Sequence, residues 1–183
     1  MRERIEDGNL VVRAFGSDDV SALHGAVCKS IDEVAPYETW CHAGYTLEEA
    51  VEYVGWWIEA REKGMAFYYA VEDAPSGLLL GAAGLSAYSS EHKHAMLGYW
   101  IRSSWTRRGI ATRAASLVCR AGFEDLGLIR ISIMVPSSNR ASRRVAEKLG
   151  ATQEGVLRRE LVLPAGPADV IAYGLLPEEL SQR

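Results

Sequence analysis

Hydrophobic residues recur with the period of a strand or of a helix along this chain, so their spacing predicts the order of elements. Strands are expected at residues 10–15, 65–71, 78–87, 96–101, 129–135, 156–163 and 170–176. Helices are expected from the cap at Ser17–Asp19 to about Val34, from Thr46 to about Gly64, from Ile110 to Leu126, and from Ser138 or Asn139 to Gly150. The order βααβββαβαββ predicts an α+β fold in which helices flank a mixed sheet.

Residue types at the ends and along the faces of these elements support the assignment. Thr46 and Glu49 have the spacing of a capping box at the start of the second helix. In the strand at 129–135, Arg130 and Ser132 alternate with apolar residues and are expected to face away from the core. The apolar stripe of the third helix is formed by Ile110, Ala114, Leu117, Val118 and Ala121.

Length and composition indicate one globular domain over residues 1–183. Apolar residues make up 48% of the chain, which is enough for a substantial core. The formal net charge of -4 argues against a general nucleic-acid binder, because such a protein needs an excess of basic residues on one face. We therefore expect no direct binding to nucleic acid.

Cysteine usage and hydropathy favour a cytoplasmic protein. Cys28, Cys41 and Cys119 are odd in number and widely spaced, so a disulfide framework is not expected. The apolar run at 78–85 is far shorter than the ~20 residues that span a bilayer. Adjacent Cys41 and His42 do not supply the three or four converging ligands of a metal site, so no metal is expected.

The stretch from Trp105 to Thr112 joins a strand to a helix through a basic turn. N–H groups at a helix start lack helical partners, and with the helix dipole they favour a phosphate group. Gly109 allows an anion to approach the backbone, and Arg107 and Arg108 add positive charge. The turn is a candidate phosphate site, although an ordinary basic turn before a helix has the same residue types.

This turn resembles the phosphate turn of the GNAT superfamily of acyl-CoA N-acyltransferases, which reads Arg/Gln-x-x-Gly-x-Gly/Ala. Gly109 and Ala111 match that pattern, and Thr106 stands where Arg or Gln is usual. A second block, from Asn139 through residues 145–155, resembles the next conserved stretch of the family. The two blocks occur in the family's order, so the resemblance is more specific than either block alone.

Further features resemble one branch of the superfamily, the RimJ/RimL ribosomal-protein N-acetyltransferases. They are residues 97–101, the Asn-x-x-Ser sequence and the closing residues 169–173. The resemblance implies a mostly antiparallel sheet of about seven strands, with a splayed strand pair that holds acyl-CoA. The residues that it assigns to acetyl-CoA are Ile101, Arg102, Arg107, Arg108, Gly109, Ile110, Ala111, Thr112, Asn139 and Ser142.

The resemblance also implies how a thioester would be held and cleaved. A β-bulge is expected between Tyr99 and Arg102, where the N–H of Ile101 would bond the thioester oxygen and contribute about two to four kcal/mol. Ser142 would protonate the departing thiolate, since Ala146 stands where many family members have a tyrosine acid. The alternative is purely structural: Asn139 would be only a helix cap, and Ser142 only a residue of the first helical turn.

Glu160 is the first candidate for the general base, because its family counterpart faces the acceptor cleft. Glu33 and Glu38, beside the aromatic loop at 36–45, are the alternatives. The same loop is expected to line the acceptor cleft, with Tyr37 and Trp40 as apolar walls and Glu38 to attract a cation; an aromatic lid over the core is the simpler interpretation.

The sequence therefore predicts an acetyl-CoA-dependent N-acetyltransferase in which the amine attacks the thioester directly. The RimJ/RimL resemblance favours a protein N-terminal amine as acceptor and is compatible with a homodimer. A small-molecule amine is the alternative acceptor, whether a polyamine, an antibiotic or an amino acid. Thr106 and Ala146 also leave open a sensor that binds acyl-CoA without catalysis.

Overall fold

The computed structural model describes residues 1–180 and confirms the α+β class. Its strands are β1 (Arg4–Asp7), β2 (Leu10–Ala14), β3 (Phe67–Asp73), β4 (Leu78–Ser89), β5 (His94–Ile101), β6 (Arg130–Pro136), β7 (Thr152–Leu163) and β8 (Gly166–Leu175). Its α-helices are α1 (Val20–Cys28), α2 (Ile31–Val34), α3 (Leu47–Glu62), α4 (Ile110–Leu126) and α5 (Arg140–Leu149). Short 3-10 turns cover Ser17–Asp19 and Ser103–Trp105.

All eight strands form one sheet in the order β1-β2-β3-β4-β5-β6-β8-β7. The pairing of β5 with β6 is parallel, and every other neighbouring pair is antiparallel. The predicted mixed, mostly antiparallel sheet is therefore confirmed, with one strand more than the seven expected.

The additional strand is β1, which the hydrophobic pattern does not predict. Three of its four residues are charged and exposed, and Ile5 alone is apolar and half-buried, so no apolar alternation marks it. It pairs with β2 through a two-residue turn, in which Asp7 is opposite Leu10 and Gly8 has a φ of 58°. Arg2 holds this end of the chain to the end of α4 through ion pairs with Glu124 and Asp125.

The helix predicted to run to Val34 is divided in two. α1 ends at Cys28, and a separate turn of helix, α2, begins at Ile31. Between them the Ser30 hydroxyl donates to the carbonyl of Ala26 at 2.7 Å. Such a side-chain bond to the preceding turn competes with continued helix, which explains the early end.

Helices cover both faces of the sheet, and each face has its own core. On one face, α4 and α5 pack on strand residues that include Leu85, Ile101 and Tyr173. On the other face, α1 and α3 pack on Leu79, Ala82 and Trp100. Ile101 and Trp100 are adjacent in β5, so the alternation of a strand places them in different cores.

Strands β5 and β6 are in contact only at one end. Their pairing extends from His94 opposite Arg130 to Met96 opposite Ser132, and the His94 ring nitrogen lies 2.9 Å from the Ser132 hydroxyl. Beyond Met96 each strand stays paired with its other neighbour, β5 with β4 and β6 with β8. The two strands therefore diverge into an open gap, which confirms the predicted splayed pair.

Tyr68 of β3 lies across the sheet toward this gap. A Cβ at Gly84 would be 2.4 Å from the Tyr68 Cα and ring, and a Cβ at Gly98 would be 2.0 Å from the Tyr68 hydroxyl oxygen. The ring thus crosses β4 at Gly84 and brings its hydroxyl to Gly98 of β5. Both positions require glycine because the ring occupies the space of a side chain.

Gly84→Ala should destabilise the protein by about 3 kcal/mol, because the new methyl group overlaps the backbone of β3. Gly155→Ala is the matched control: Gly155 is also a strand glycine, but no atom lies within 4 Å of an added Cβ. Urea unfolding would measure both changes. Equal midpoints for the two variants would contradict the close approach at Gly84.

Candidate active site

The N-terminus of α4 has the geometry of an anion site. Gly109 is its N-cap in the left-handed conformation, with a φ of 77°, and no side chain caps the helix. The first helical bond runs from the N–H of Arg113 to the carbonyl of Gly109 at 3.0 Å. The N–H groups of residues 110–112 therefore have no acceptor within the helix, and they point outward at the positive end of its dipole.

The turn before α4 adds to this site. Arg107 has a φ of 61° and Gly109 a φ of 77°, so left-handed residues flank Arg108. Alternating backbone hands of this kind turn successive N–H groups toward one point and form a nest for an anion. The predicted phosphate turn thus has the local conformation that phosphate binding requires.

Two arginines near the turn are exposed to solvent, whereas Arg113 and Thr106 are engaged in contacts within the protein. Arg107 and Arg108 are exposed, and the guanidinium of Arg108 lies 4.5 Å from the Trp105 ring centre. Arg113 is tied to Asp7 by an ion pair of 2.7 Å. Thr106 donates its hydroxyl to the carbonyl of Ser103 at 2.9 Å, which closes the 3-10 turn. Thr106 therefore has a structural role at the position where the family usually has Arg or Gln.

The backbone N–H of Ile101 faces away from β4. The N–H of Arg102 donates to Leu80 of β4 at 2.7 Å. Amides alternate in direction along a strand, so the N–H of Ile101 points away from β4 and into the gap where β6 has diverged. Arg102 itself turns its amide to β4, and its side chain is buried.

The β-bulge expected between Tyr99 and Arg102 is not present in β5. The register between β4 and β5 is continuous from Ser86 opposite Met96 to Gly81 opposite Ile101. The irregularity lies in β4, where Leu80 is an extra residue against β3. A Cβ at Gly81 would be only 2.1 Å from the Trp100 carbonyl, so glycine lets β4 follow β5 closely without a bulge in β5. The gap results from the divergence of β6.

Ser142 and Asn139 lie at the N-terminus of α5, beside the same gap. Asn139 is the N-cap, and its side-chain oxygen accepts the N–H of Ser142 at 3.0 Å. The Ser142 hydroxyl is 3.0 Å from the hydroxyl of Tyr99, which also lies 3.1 Å from the Ser142 carbonyl oxygen. The structure therefore confirms the cap and adds Tyr99 as the partner of Ser142 across the gap.

Tyr99 brings a phenol group to a site where the family tyrosine is missing. Ala146, at the family position, is fully buried and carries no polar group. Burial raises the pKa of Tyr99 well above its ordinary value, against the opposing effect of the Ser142 hydrogen bond. Tyr99 therefore keeps its proton at neutral pH and acts as a neutral hydrogen-bonding group.

Glu160 lies in an irregular segment of the edge strand β7. The register with β8 shifts between Leu157, opposite Val170, and Leu161, opposite Ala168. The exposed residues between them, together with Asp169, line a cavity of about 720 Å³. The Asp169 carbonyl accepts the N–H of Ser137 at 2.8 Å, so this segment adjoins the loop that leads to Asn139.

The loop between α2 and α3 contains the residues that the sequence predicts for the acceptor cleft. The Trp40 indole N–H donates to the Glu38 carboxylate at 3.0 Å. The Trp40 ring lies 5.2 Å from the ring of Tyr53 and 5.6 Å from that of Trp100. Tyr37 continues the turn after α2 and donates its N–H to Val34 at 3.0 Å. The sequence does not single out Tyr53, which helical spacing indicates only as a packing residue, yet its ring lies against the predicted Trp40.

Comparison with known proteins identifies the family. The family model described as "Acetyltransferase (GNAT) domain" matches residues 9–152. The chain belongs to the GNAT acetyltransferase family. It is an acetyl-CoA-dependent acetyltransferase, and the anion site and the strand gap suit that substrate.

Relatives of this GNAT enzyme include the uncharacterized N-acetyltransferase YoaA of Bacillus subtilis (strain 168), 29% identical over 94% of this chain and 96% of YoaA. Among solved structures, RimL, a ribosomal L7/L12 α-N-protein acetyltransferase in complex with coenzyme A, has a TM-score of 0.90 at 24% identity and covers 95% of this chain and 98% of RimL. The ribosomal-protein-S5-alanine acetyltransferase from Vibrio fischeri has a TM-score of 0.88 at 22% identity over 99% of this chain and 100% of that one.

Two further findings concern the described part of the GNAT chain. Within residues 1–180, no group of three or more His, Cys, Asp and Glu side chains is placed to hold a metal ion. None of the helices in that range is long and apolar enough to cross a membrane.

Gly109→Asp should weaken CoA binding at least about tenfold, because a carboxylate would occupy the site of an anion at the helix start. Gly77→Asp is the matched control, since Gly77 has a similar φ of 66° and open space in the β3–β4 turn. Calorimetric titration with CoA would measure both affinities. Equal weakening in the two variants would show that backbone strain, rather than the anion site, is responsible.

Proposed function

We propose that this enzyme acetylates the N-terminal α-amine of a protein by direct attack on acetyl-CoA. The observation that carries the proposal is the gap between β5 and β6, into which the N–H of Ile101 points, together with the free N–H groups at the start of α4. Residues 107–112 would hold the diphosphate, and the N–H of Ile101 would bond the thioester oxygen as negative charge develops on it. The attacking nitrogen bonds to the carbonyl carbon, and the bond from carbon to sulfur breaks.

Tyr99 and Ser142 would act on the departing sulfur as a pair. Tyr99 has one proton and two acceptors, the carbonyl and the hydroxyl of Ser142. When Tyr99 donates to the Ser142 hydroxyl oxygen, the Ser142 proton is free to point at the thiolate. Both hydroxyls hold their protons strongly, so the pair stabilises the thiolate by hydrogen bonding and Tyr99 is a positioning residue. The thiolate then recovers a proton from the acylated nitrogen or from solvent.

Glu160 would remove a proton from the incoming ammonium through water. An α-amino group has a pKa near 7.7 to 8.0, so a weak base is sufficient at neutral pH. The exposed position of Glu160 beside an open cavity suits this role. Glu33 is a weaker alternative, because its carboxylate already accepts a hydrogen bond from the Ser103 hydroxyl.

The edge strand β7 supports a peptide acceptor over a small amine. It exposes the apolar side chains of Val156, Leu157, Leu161 and Val162 next to the cavity. An edge strand offers unpaired backbone groups to an extended peptide, and neighbouring apolar residues can receive its side chains. The same edge could pair with a second copy, so the homodimer stays a prediction that sedimentation would test.

Release of CoA thiol from acetyl-CoA should be fastest with peptide acceptors when peptides, polyamines, aminoglycosides and free amino acids are compared. A peptide contacts both the gap and the exposed β7 edge, whereas a small amine reaches only the gap. Mass spectrometry of the peptide products would locate the acetyl group on the α-amine. Turnover on a single small amine would replace the protein acceptor, and CoA binding without turnover on any amine would favour the sensor.

Ser142→Ala and Glu160→Gln should each lower kcat, by about tenfold to a hundredfold, with little change in the affinity for CoA. Ser142→Ala removes the hydrogen bond to the leaving sulfur, and Glu160→Gln removes the base while keeping the shape of the side chain. Glu178→Gln, at an exposed position after β8, is the matched charge control. Full turnover at pH 7 in either variant would remove the corresponding role.

A further inference from the structure

Glu38 is a carboxylate among aromatic rings. Its hydrogen-bond partner is the Trp40 indole N–H at 3.0 Å, and within residues 1–180 no ion pair engages it. Trp40 in turn packs on Tyr53 and Trp100. Trp57 lies 5.9 Å from Tyr53 and stacks on Tyr68 at 3.9 Å, measured between ring centres. We call this cluster the Glu38 cage: Glu38, Trp40, Tyr53, Trp57, Tyr68 and Trp100.

Two polar groups of the Glu38 cage lie toward the gap. The buried indole N–H of Trp100 lies near the Tyr53 hydroxyl and lowers its pKa, but the two groups do not have hydrogen-bond geometry. The hydroxyl of Tyr68 reaches Gly98 of β5, two residues beyond the last pairing of β5 with β6. The cage therefore extends to the edge of the gap and retains hydrogen-bonding capacity there.

The cage and the anion site lie on opposite faces of the sheet. Trp100, Tyr53 and Tyr68 belong to the core beneath α1 and α3, whereas Ile110 at the start of α4 belongs to the other core. The gap passes between these faces where β6 leaves β5. A molecule held in the cage would thus meet a thioester at Ile101 from the side opposite the diphosphate.

Among the described residues, no positively charged side chain forms an ion pair with the Glu38 carboxylate. Glu38 is exposed as a residue, and its carboxyl lies beside the ring of Trp40; partial desolvation there raises the pKa of the carboxyl above the ordinary 4.5, against the hydrogen bond from Trp40. Burial raises the pKa of Tyr53 to about 12, and the charge of Glu38 adds to that increase. Burial also raises the pKa of Cys41 to about 11, with Glu38 again contributing. A cation would relieve this unpaired negative charge.

We propose that the Glu38 cage receives the acceptor as a primary ammonium group with an adjacent aromatic or bulky apolar group. The carboxylate supplies the opposite charge, and the faces of Trp40 and Tyr53 attract both a cation and an aromatic ring. This inference rests on the acetyl transfer proposed above and specifies the class of amine. It is a binding role, distinct from the removal of the proton assigned to Glu160.

The same chemistry disfavours other amines. A free amino acid brings its own carboxylate next to the ammonium and would be repelled by Glu38. A polyamine or aminoglycoside lacks the apolar neighbour that would fill the aromatic part of the cage. Two sources carry the required group: a peptide whose first side chain is aromatic or large and apolar, and a free arylalkylamine.

The test is direct binding to the full chain loaded with CoA. By calorimetry, 2-phenylethylamine should bind at least about tenfold tighter than ethylamine, which has the same ammonium but no ring. Glu38→Gln should lose about tenfold in affinity for 2-phenylethylamine, and Tyr68→Phe should lose several-fold. Glu52→Gln, an exposed carboxylate of α3, should bind as the parent protein does.

A pH series separates the charge of Glu38 from its shape. Alkylamines stay protonated below pH ~9, so a fall in affinity on acidification reports the loss of a carboxylate charge. Because the pKa of Glu38 is raised, affinity for 2-phenylethylamine should be full at pH 7 and fall from a pH above 4.5. Glu38→Gln should give a flat profile over the same range. The groups near Glu38 that titrate are Tyr53, Tyr68 and Cys41, all of which stay protonated there.

Equal affinity for 2-phenylethylamine and ethylamine, or unchanged affinity in Glu38→Gln, would overturn the inference. Turnover of peptides that begin with Phe or Gly then shows whether a peptide is the source of the ammonium group. A preference for Phe should appear in KM rather than in kcat. Selective binding without acetyl transfer to any amine would defeat the proposed function and leave the cage as an amine site. Acetyl transfer with no preference for an amine that has an aromatic neighbour would overturn the inference about the Glu38 cage and leave the proposed function intact.

Discussion

The divergence of β6 from β5 is the constraint on which the active site depends. Two strands that part inside a sheet leave backbone groups without partners, and such groups are costly when buried. Here each strand keeps its other neighbour, so the sheet stays continuous while one row of amides faces the gap. The N–H of Ile101 belongs to that row. In the proposed reaction a thioester carbonyl would accept this N–H, so that a backbone group left unpaired by the divergence of β6 would bind the substrate.

Glycines determine how closely the other parts approach this gap. Gly81 brings β4 against the carbonyl of Trp100, and Gly84 and Gly98 make room for the ring of Tyr68. Without them, β3, β4 and β5 could not lie in register while an aromatic side chain crosses two strands. Trp57 then stacks on that ring from α3 and fixes its position. The proposed acceptor side is therefore shaped by the absence of Cβ atoms as much as by the aromatic groups.

Local features of this protein could be predicted from sequence, and features that depend on register could not. Gly109 and Asn139 were predictable because a left-handed turn and a helix cap each depend on a few neighbouring residues. Tyr99 and Ser142 meet across 43 residues of chain, and Tyr68 reaches Gly98 only through the pairing of three strands. No spacing rule contains that information. The strand β1 was missed for another reason, since its turn at Gly8-Asn9 has a hairpin sequence but its residues lack apolar alternation.

The two faces of the sheet also solve an electrostatic problem. Acetyl-CoA is an anion and the amine arrives as a cation, so each needs a site that would repel the other. The nest and Arg107 and Arg108 favour the diphosphate and would raise the energy of an ammonium placed beside them. The Glu38 carboxylate would attract an ammonium group and repel the diphosphate. In the proposed arrangement a sheet and its packed side chains separate the two sites, so each substrate would be bound by opposite charge while the gap brings their reacting atoms together.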